Sequence, residues 1–146
     1  TVEQTYMVTA MDVGMRYDIH PKRKRPIGTR LAWQALDKVY GCHICADSPT
    51  VDQVSFSGNN NIVITMKHTH GGLTVRGGKP KTFEVFLDGE KDENVLVQVS
   101  AGSIAIQTDK AAQTARIAFC QRPWCELNVY SGQGLPVLPF DVTVTR

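Results

Sequence analysis

Positions 12 to 21 read Asp-Val-Gly-Met-Arg-Tyr-Asp-Ile-His-Pro, so Asp12 stands eight residues and Asp18 two residues before His20. An imidazole with an ordinary pKa of about 6.5 takes and returns a proton near neutrality, which gives His20 the character of a general base. A carboxylate beside such a ring orients it and stabilises its protonated form. On residue types alone, the same stretch also describes a solvated polar loop. Four cysteines, Cys42, Cys45, Cys120 and Cys125, offer a second chemistry. Their even number and short spacings fit disulfide pairing in an oxidising compartment, with buried thiols as the plain alternative. As zinc ligands, Cys42-x-x-Cys45 has knuckle spacing, but the second pair is wider and distant in sequence. A redox role for the first pair wants a thioredoxin-like strand ahead of it, and none precedes it. Lys22-Arg-Lys-Arg25 could serve as a nuclear address or nucleic-acid patch. Nothing elsewhere extends it, and the net charge is only +2, so a solvated loop is the preferred reading and no nucleic-acid partner is expected.

These residues must be positioned by something. Tyr6–Val13 is nearly all apolar and reads as a strand covered on both faces, as in a parallel sheet. In open α/β sheets, ligands sit beyond the carboxyl ends of strands, which is where Asp12 and His20 would fall. A helix is expected from Pro26 to about Tyr40, with Ile27, Leu31, Ala35 and Val39 every four residues and Ala32, Leu36 and Tyr40 beside them. Pro26 suits its first turn and Gly41 its left-handed cap. Such a fragment cannot bury its own strand faces. It needs neighbouring strands from elsewhere, a first indication of a larger whole.

After Gly41 the period shortens. Val51–Phe56, Ile62–Met66, Phe83–Leu87, Val95–Val99, Ile104–Gln107, Arg116–Phe119, Leu127–Tyr130 and Val142–Val144 read as short strands, punctuated by Gly58-Asn-Asn-Asn61, Gly71-Gly72 and Gly77-Gly78. This pattern predicts a small antiparallel sandwich or strand-rich appendage. The division is residues 1–41 and 42–146. No apolar run is long enough to span a membrane. Thr1 is not a start methionine, so a mature or trimmed product is expected.

The stretch from Asp18-Ile-His-Pro-Lys through Gly28-Thr-Arg-Leu-Ala32 to Val39-Tyr-Gly41 resembles the histidine block of sialate O-acetylesterases. Met11-Asp-Val-Gly14, Gly71-Gly-Leu-Thr-Val75, Phe83-Glu84 and the tail from Ala115-Arg116 to Pro139-Phe140 are similar to that family in the same order. The resemblance implies the last strand and helix of an SGNH-type α/β hydrolase, followed by a β-rich domain. It implies removal of acetyl groups from sugar hydroxyls, sialic acid in particular, without a cofactor. A serine attacks the ester, a histidine takes its proton, and backbone and side-chain donors hold the oxyanion. His20 matches the catalytic histidine.

Two departures stand out. Many SGNH enzymes place the acid three residues before the histidine, where this chain has Tyr17. Asp18 is the first candidate for the acid, Asp12 the second, and a backbone carbonyl could hold the ring instead. There is also no Gly-Asp-Ser block and no Gly-x-Ser-x-Gly elbow. Ser48, Ser55, Ser57, Ser100, Ser103 and Ser131 all fall in turns or strands. The nucleophile is therefore expected N-terminal to Thr1, in the same gene product or a cleaved partner, and the substrate is an O-acetylated sugar. Secreted, periplasmic and lysosomal settings all fit. Trp124 and Tyr130 could stack on a sugar or be core aromatics. A non-catalytic carbohydrate-binding or structural β-sandwich remains the alternative.

Overall fold

The computed structural model describes residues 3–146. Ten strands dominate: β1 (Thr50–Ser57), β2 (Asn61–Lys67), β3 (Leu73–Val75), β4 (Phe83–Leu87), β5 (Glu90–Asp92), β6 (Leu96–Val99), β7 (Ser103–Gln107), β8 (Thr114–Phe119), β9 (Val129–Ser131) and β10 (Phe140–Thr145). They form one four-stranded sheet in the order β1-β2-β7-β6, another in the order β10-β8-β4-β5, and a two-stranded β3-β9 ribbon. All pairings are antiparallel. The expected β-rich architecture is present. The expectation missed β3 and β5, three-residue strands too short to show an alternation.

Alternation explains which side of each strand faces in. Ile62, Ile64 and Met66 of β2 and Ile104 and Ile106 of β7 point one way from their sheet. Val85 and Leu87 of β4 and Ala115, Ile117 and Phe119 of β8 point inward from the other, and all belong to one core cluster. In register across β4, β8 and β10, Phe83, Phe119 and Phe140 form an aromatic ladder, with ring centroids 4.7 Å apart for the first two and 5.3 Å for the last two. Asn128 pins the Gly77-Gly78 loop to β9. Its Nδ2 donates to the carbonyls of Arg76 and Lys79 at 3.0 and 2.9 Å, and its Oδ1 accepts from the Lys81 N–H at 3.0 Å. Beside the β3-β9 ribbon, two backbones touch. A Cβ on Gly132 would lie 2.8 Å from the Gly71 carbonyl oxygen, so only glycine fits there.

The N-terminal third departs from expectation. Tyr6–Val13 is not a strand; it runs irregularly into a 3₁₀ turn at Met11–Val13. Among the described residues no strand lies alongside to complete its hydrogen bonds, and an apolar run without a neighbour has no ladder to join. The helix forms as α1 (Arg25–Gln34), closing in a π turn over Ala35–Val39, and Gly41 takes the left-handed conformation expected of a cap (φ 66°). Its orientation is the surprise. Arg30 and Gln34 are buried, while Leu31, Leu36, Val39 and Tyr40 of the apolar stripe are exposed, the last two by 64% and 73%. No helix among the described residues is long and apolar enough to cross a membrane.

Candidate functional site

The His20 segment begins as a tight reversal. Met15 and Asp18 form an isolated antiparallel bridge with Arg16 and Tyr17 at its tip. Asp18 then turns its carboxylate forward, and its Oδ1 accepts the His20 backbone N–H at 2.8 Å, an Asx-type turn. The same oxygen stands 3.6 Å from His20 Nδ1, outside hydrogen-bonding range but close enough to attract an imidazolium. The His20 side chain is 82% exposed and that of Asp18 42%. Nε2, on the other side of the ring from Asp18, is left to solvent. The two residues singled out as catalytic candidates thus come together, on an open loop.

Asp12 does something else. Arg30 Nη1 donates to Asp12 Oδ1 and to the Thr9 carbonyl, and Nη2 donates to Asp12 Oδ2, each at 2.7 Å. Both side chains are almost completely buried. With both carboxylate oxygens committed to one guanidinium, Asp12 is a tether rather than a partner for His20. The tether joins the start of the His20 loop to the middle of α1 and fixes the loop at both ends. Sequence reasoning did not single out Arg30. The signal available was a polar pair, Arg30 and Gln34, four residues apart on one helix face.

The same face carries the second attachment. Gln34 Nε2 donates to the Ala46 carbonyl and to Asp47 Oδ1, both at 3.0 Å. Lys38 Nζ reaches Asp47 at 2.8 Å and Asp37 at 3.0 Å. Hydrogen bonds to Asp47 and then Asp37 push the Lys38 pKa up to about 12. Burial works to raise the Asp47 pKa, but its bonds to Lys38 and Gln34 prevail and hold it below the ordinary value.

Among the concave regions around these elements are three of more than about 400 Å³. One, of about 440 Å³, lies between Met7–Thr9, Arg30 and Gln34 of α1, and Ala46–Ser48; neither Asp18 nor His20 lines it. The other two adjoin. A cleft of about 480 Å³ is lined by Met15–Ile19 and Pro123–Cys125. Its neighbour, of about 710 Å³, continues over Lys81–Glu84 and Cys120–Glu126. Arg16, Tyr17, Trp124 and Cys125 line both. Trp124 is partly exposed, with the Arg16 guanidinium 5.4 Å from its ring centre. Tyr130 has no such freedom, being buried with Arg76 3.8 Å from its ring centre.

The four cysteines are free thiols, correcting the expected disulfide. Cys120 is buried against Thr82 Oγ1 at 3.1 Å. Burial, followed by the neighbouring Cys125, pushes its pKa up to about 12, so it stays protonated and inert. Among the described residues no group of three or more His, Cys, Asp or Glu side chains is placed to hold a metal. Nor, among the described residues, does any serine hydroxyl bond to His20. Ser131 is buried and its Oγ accepts the Leu135 N–H, while Ser100 and Ser103 bond to each other.

No family model and no curated protein matches the chain. Among solved structures, a carbohydrate acetylesterase from Xanthomonas citri superposes with a TM-score of 0.76 at 26% identity. The match covers 90% of this chain and 31% of the esterase, so the chain spans about a third of that protein's length. An S-layer protein matches with a TM-score of 0.54 at 16% identity, over 77% of this chain and 16% of its own, a likeness of fold alone. The chain is similar to a region of a carbohydrate acetylesterase.

Proposed function

We propose that this chain is the histidine-bearing part of a carbohydrate O-acetylesterase, with His20 as general base for a serine carried elsewhere in the same protein. The observation that supports it most is the pairing of His20 with Asp18 on an exposed loop, Asp18 but not His20 lining the adjacent cleft, in a chain similar to part of an acetylesterase. In this reading the serine Oγ attacks the acetyl carbonyl while its proton passes to His20 Nε2. Collapse of the tetrahedral intermediate breaks the bond to the sugar oxygen, which leaves with that proton. Water, deprotonated by His20, then releases acetate and restores the serine. Asp18 stabilises the imidazolium formed at each step. The oxyanion donors come from outside this chain.

The exposed stripe running along α1 and the π turn that closes it supports the same reading. Leu31, Leu36, Val39 and Tyr40 form the kind of face a helix lays on a sheet, and the hydrolase sheet would be its cover. Sialic acid is the proposed sugar. The test is acetate release from an O-acetylated sialoside and an O-acetylated neutral sugar by the full-length gene product, with and without His20→Ala. Loss of about ten-thousandfold or more in turnover is expected. An unaffected variant removes His20 from the chemistry, and a preference for the neutral sugar removes sialic acid from the proposal.

One observation favours a second reading. The β-rich portion closes a core of its own, which suits a binding or structural module. Saccharide binding by a full-length protein that releases no acetate from any ester would select it.

A further inference from the structure

The loop Cys120–Glu126 belongs to the β-rich portion, yet it meets the His20 segment. Trp124 lies under Arg16, and Arg16 lies 5.2 Å from the ring centre of Tyr17, so one guanidinium links the tip of the Met15–Asp18 reversal to the far loop. Trp124 is partly exposed, whereas Tyr130, the other aromatic suited to a sugar, is sealed. Trp124, Arg16, Tyr17 and Cys125 line both adjoining clefts, making the indole the shared wall of a groove. One end of the groove reaches Asp18, the residue beside the His20 ring.

The far end is polar and charged. Lys81 pairs with Glu126 at 2.6 Å, and Glu84 takes both Arg122 and Lys91. An aromatic ring next to exposed, hydrogen-bonding charged groups matches a saccharide. The apolar C–H face of a sugar ring lies on the indole and its hydroxyls meet the polar rim. Each cleft, at about 480 and about 710 Å³, is within the size range of a small-molecule site. The groove has room for more than one sugar unit.

We propose that Trp124 is the stacking platform of a saccharide subsite, and that the substrate is an oligosaccharide carrying its acetyl ester at the His20 end of the groove. Arg16 is a positioning residue that holds the indole toward the His20 loop. This rests on the esterase reading, and the experiment separates the two.

The full-length gene product is assayed with p-nitrophenyl acetate, an acetylated monosaccharide and an acetylated oligosaccharide. Trp124→Ala is expected to lower kcat/KM for the oligosaccharide by about tenfold or more, mainly through KM, and to affect p-nitrophenyl acetate far less. Trp124→Phe recovers part of the loss, and Arg16→Gln gives a smaller loss of the same kind. Equal effects on all three substrates, at an unchanged melting temperature, overturn the subsite. An inactive full-length protein overturns the esterase reading instead. Calorimetric titration of the deacetylated oligosaccharide then decides the subsite: binding weakened about tenfold by Trp124→Ala upholds it, and no binding overturns it.

Discussion

The β-rich portion and the N-terminal third treat their apolar residues in opposite ways. In the two sheets, Ile62, Ile64, Ile104, Ile106 and Ile117 are essentially inaccessible and the polar alternates face out. In residues 3–41 of the N-terminal third the buried side chains are Val13, Arg30 and Gln34, and the exposed ones include Met7, Leu31, Val39 and Tyr40. The first region satisfies its hydrophobic demand internally. Apart from Met11, which packs on the core, and buried Val13, the second is fastened to its neighbour by ion pairs and hydrogen bonds, and the apolar side of its helix faces solvent. Burial of apolar area is what holds most folds together, so a helix attached by its polar face is not an independent unit of stability. If the proposed hydrolase sheet exists, this exposed face is where it would sit.

The contrast can be tested by substitution. Phe119→Ala, in the centre of the aromatic ladder, is expected to cost about 3–5 kcal/mol, read by urea denaturation. A cost below about 1 kcal/mol would mean the sheets do not share a close-packed core. Arg30→Ala comes next. It leaves Asp12 buried without its partner at a cost of about 3–5 kcal/mol, at the upper end only if the 3₁₀ turn cannot open to water. Combining Arg30→Met with Asp12→Leu should recover most of that loss, and a double variant as unstable as the single one would assign the pair a different role. Leu31→Ser with Val39→Ser is the smallest effect and the sharpest comparison. In the 146-residue chain it should shift stability by less than about 0.5 kcal/mol, as surface changes do. In the protein extended upstream it should cost about 1–3 kcal/mol as the face becomes covered. Equal small effects in both would leave the helix face exposed in the whole protein.

What could be read in advance follows the same division. The longer strands were legible because alternation and glycine turns are local signals, and Gly58, Gly71, Gly72, Gly77 and Gly78 all take the positive φ that turns require. The helix was legible too, through Pro26 and Gly41. Its facing was not, because an apolar stripe says which side wants burial and not whether the covering element is at hand. Tyr6–Val13 failed for the same reason: an apolar run specifies a strand only where a neighbouring edge exists. Asp18 beside His20 was local and legible. The task of Asp12 was not, since its partner lies 18 residues away and the choice between tether and acid is made in three dimensions. The meeting of Arg16 with Trp124 spans most of the chain and left no local trace.

The β3-β9 ribbon carries a consequence for how the chain folds in time. It pairs Leu73–Val75 with Val129–Ser131, across more than a third of the sequence, and the close approach of Gly132 to Gly71 leaves no room for a side chain. Loop-closure entropy makes such pairings late, on the millisecond-to-second scale of β-dominated folds. Trp124 lies just ahead of β9, so the wall of the groove is among the last parts to acquire its shape, whether in refolding or as the chain leaves the ribosome. Pulse-labelled hydrogen exchange would find the amides of Val129–Ser131 protected in the slowest phase; early protection there would refute the order.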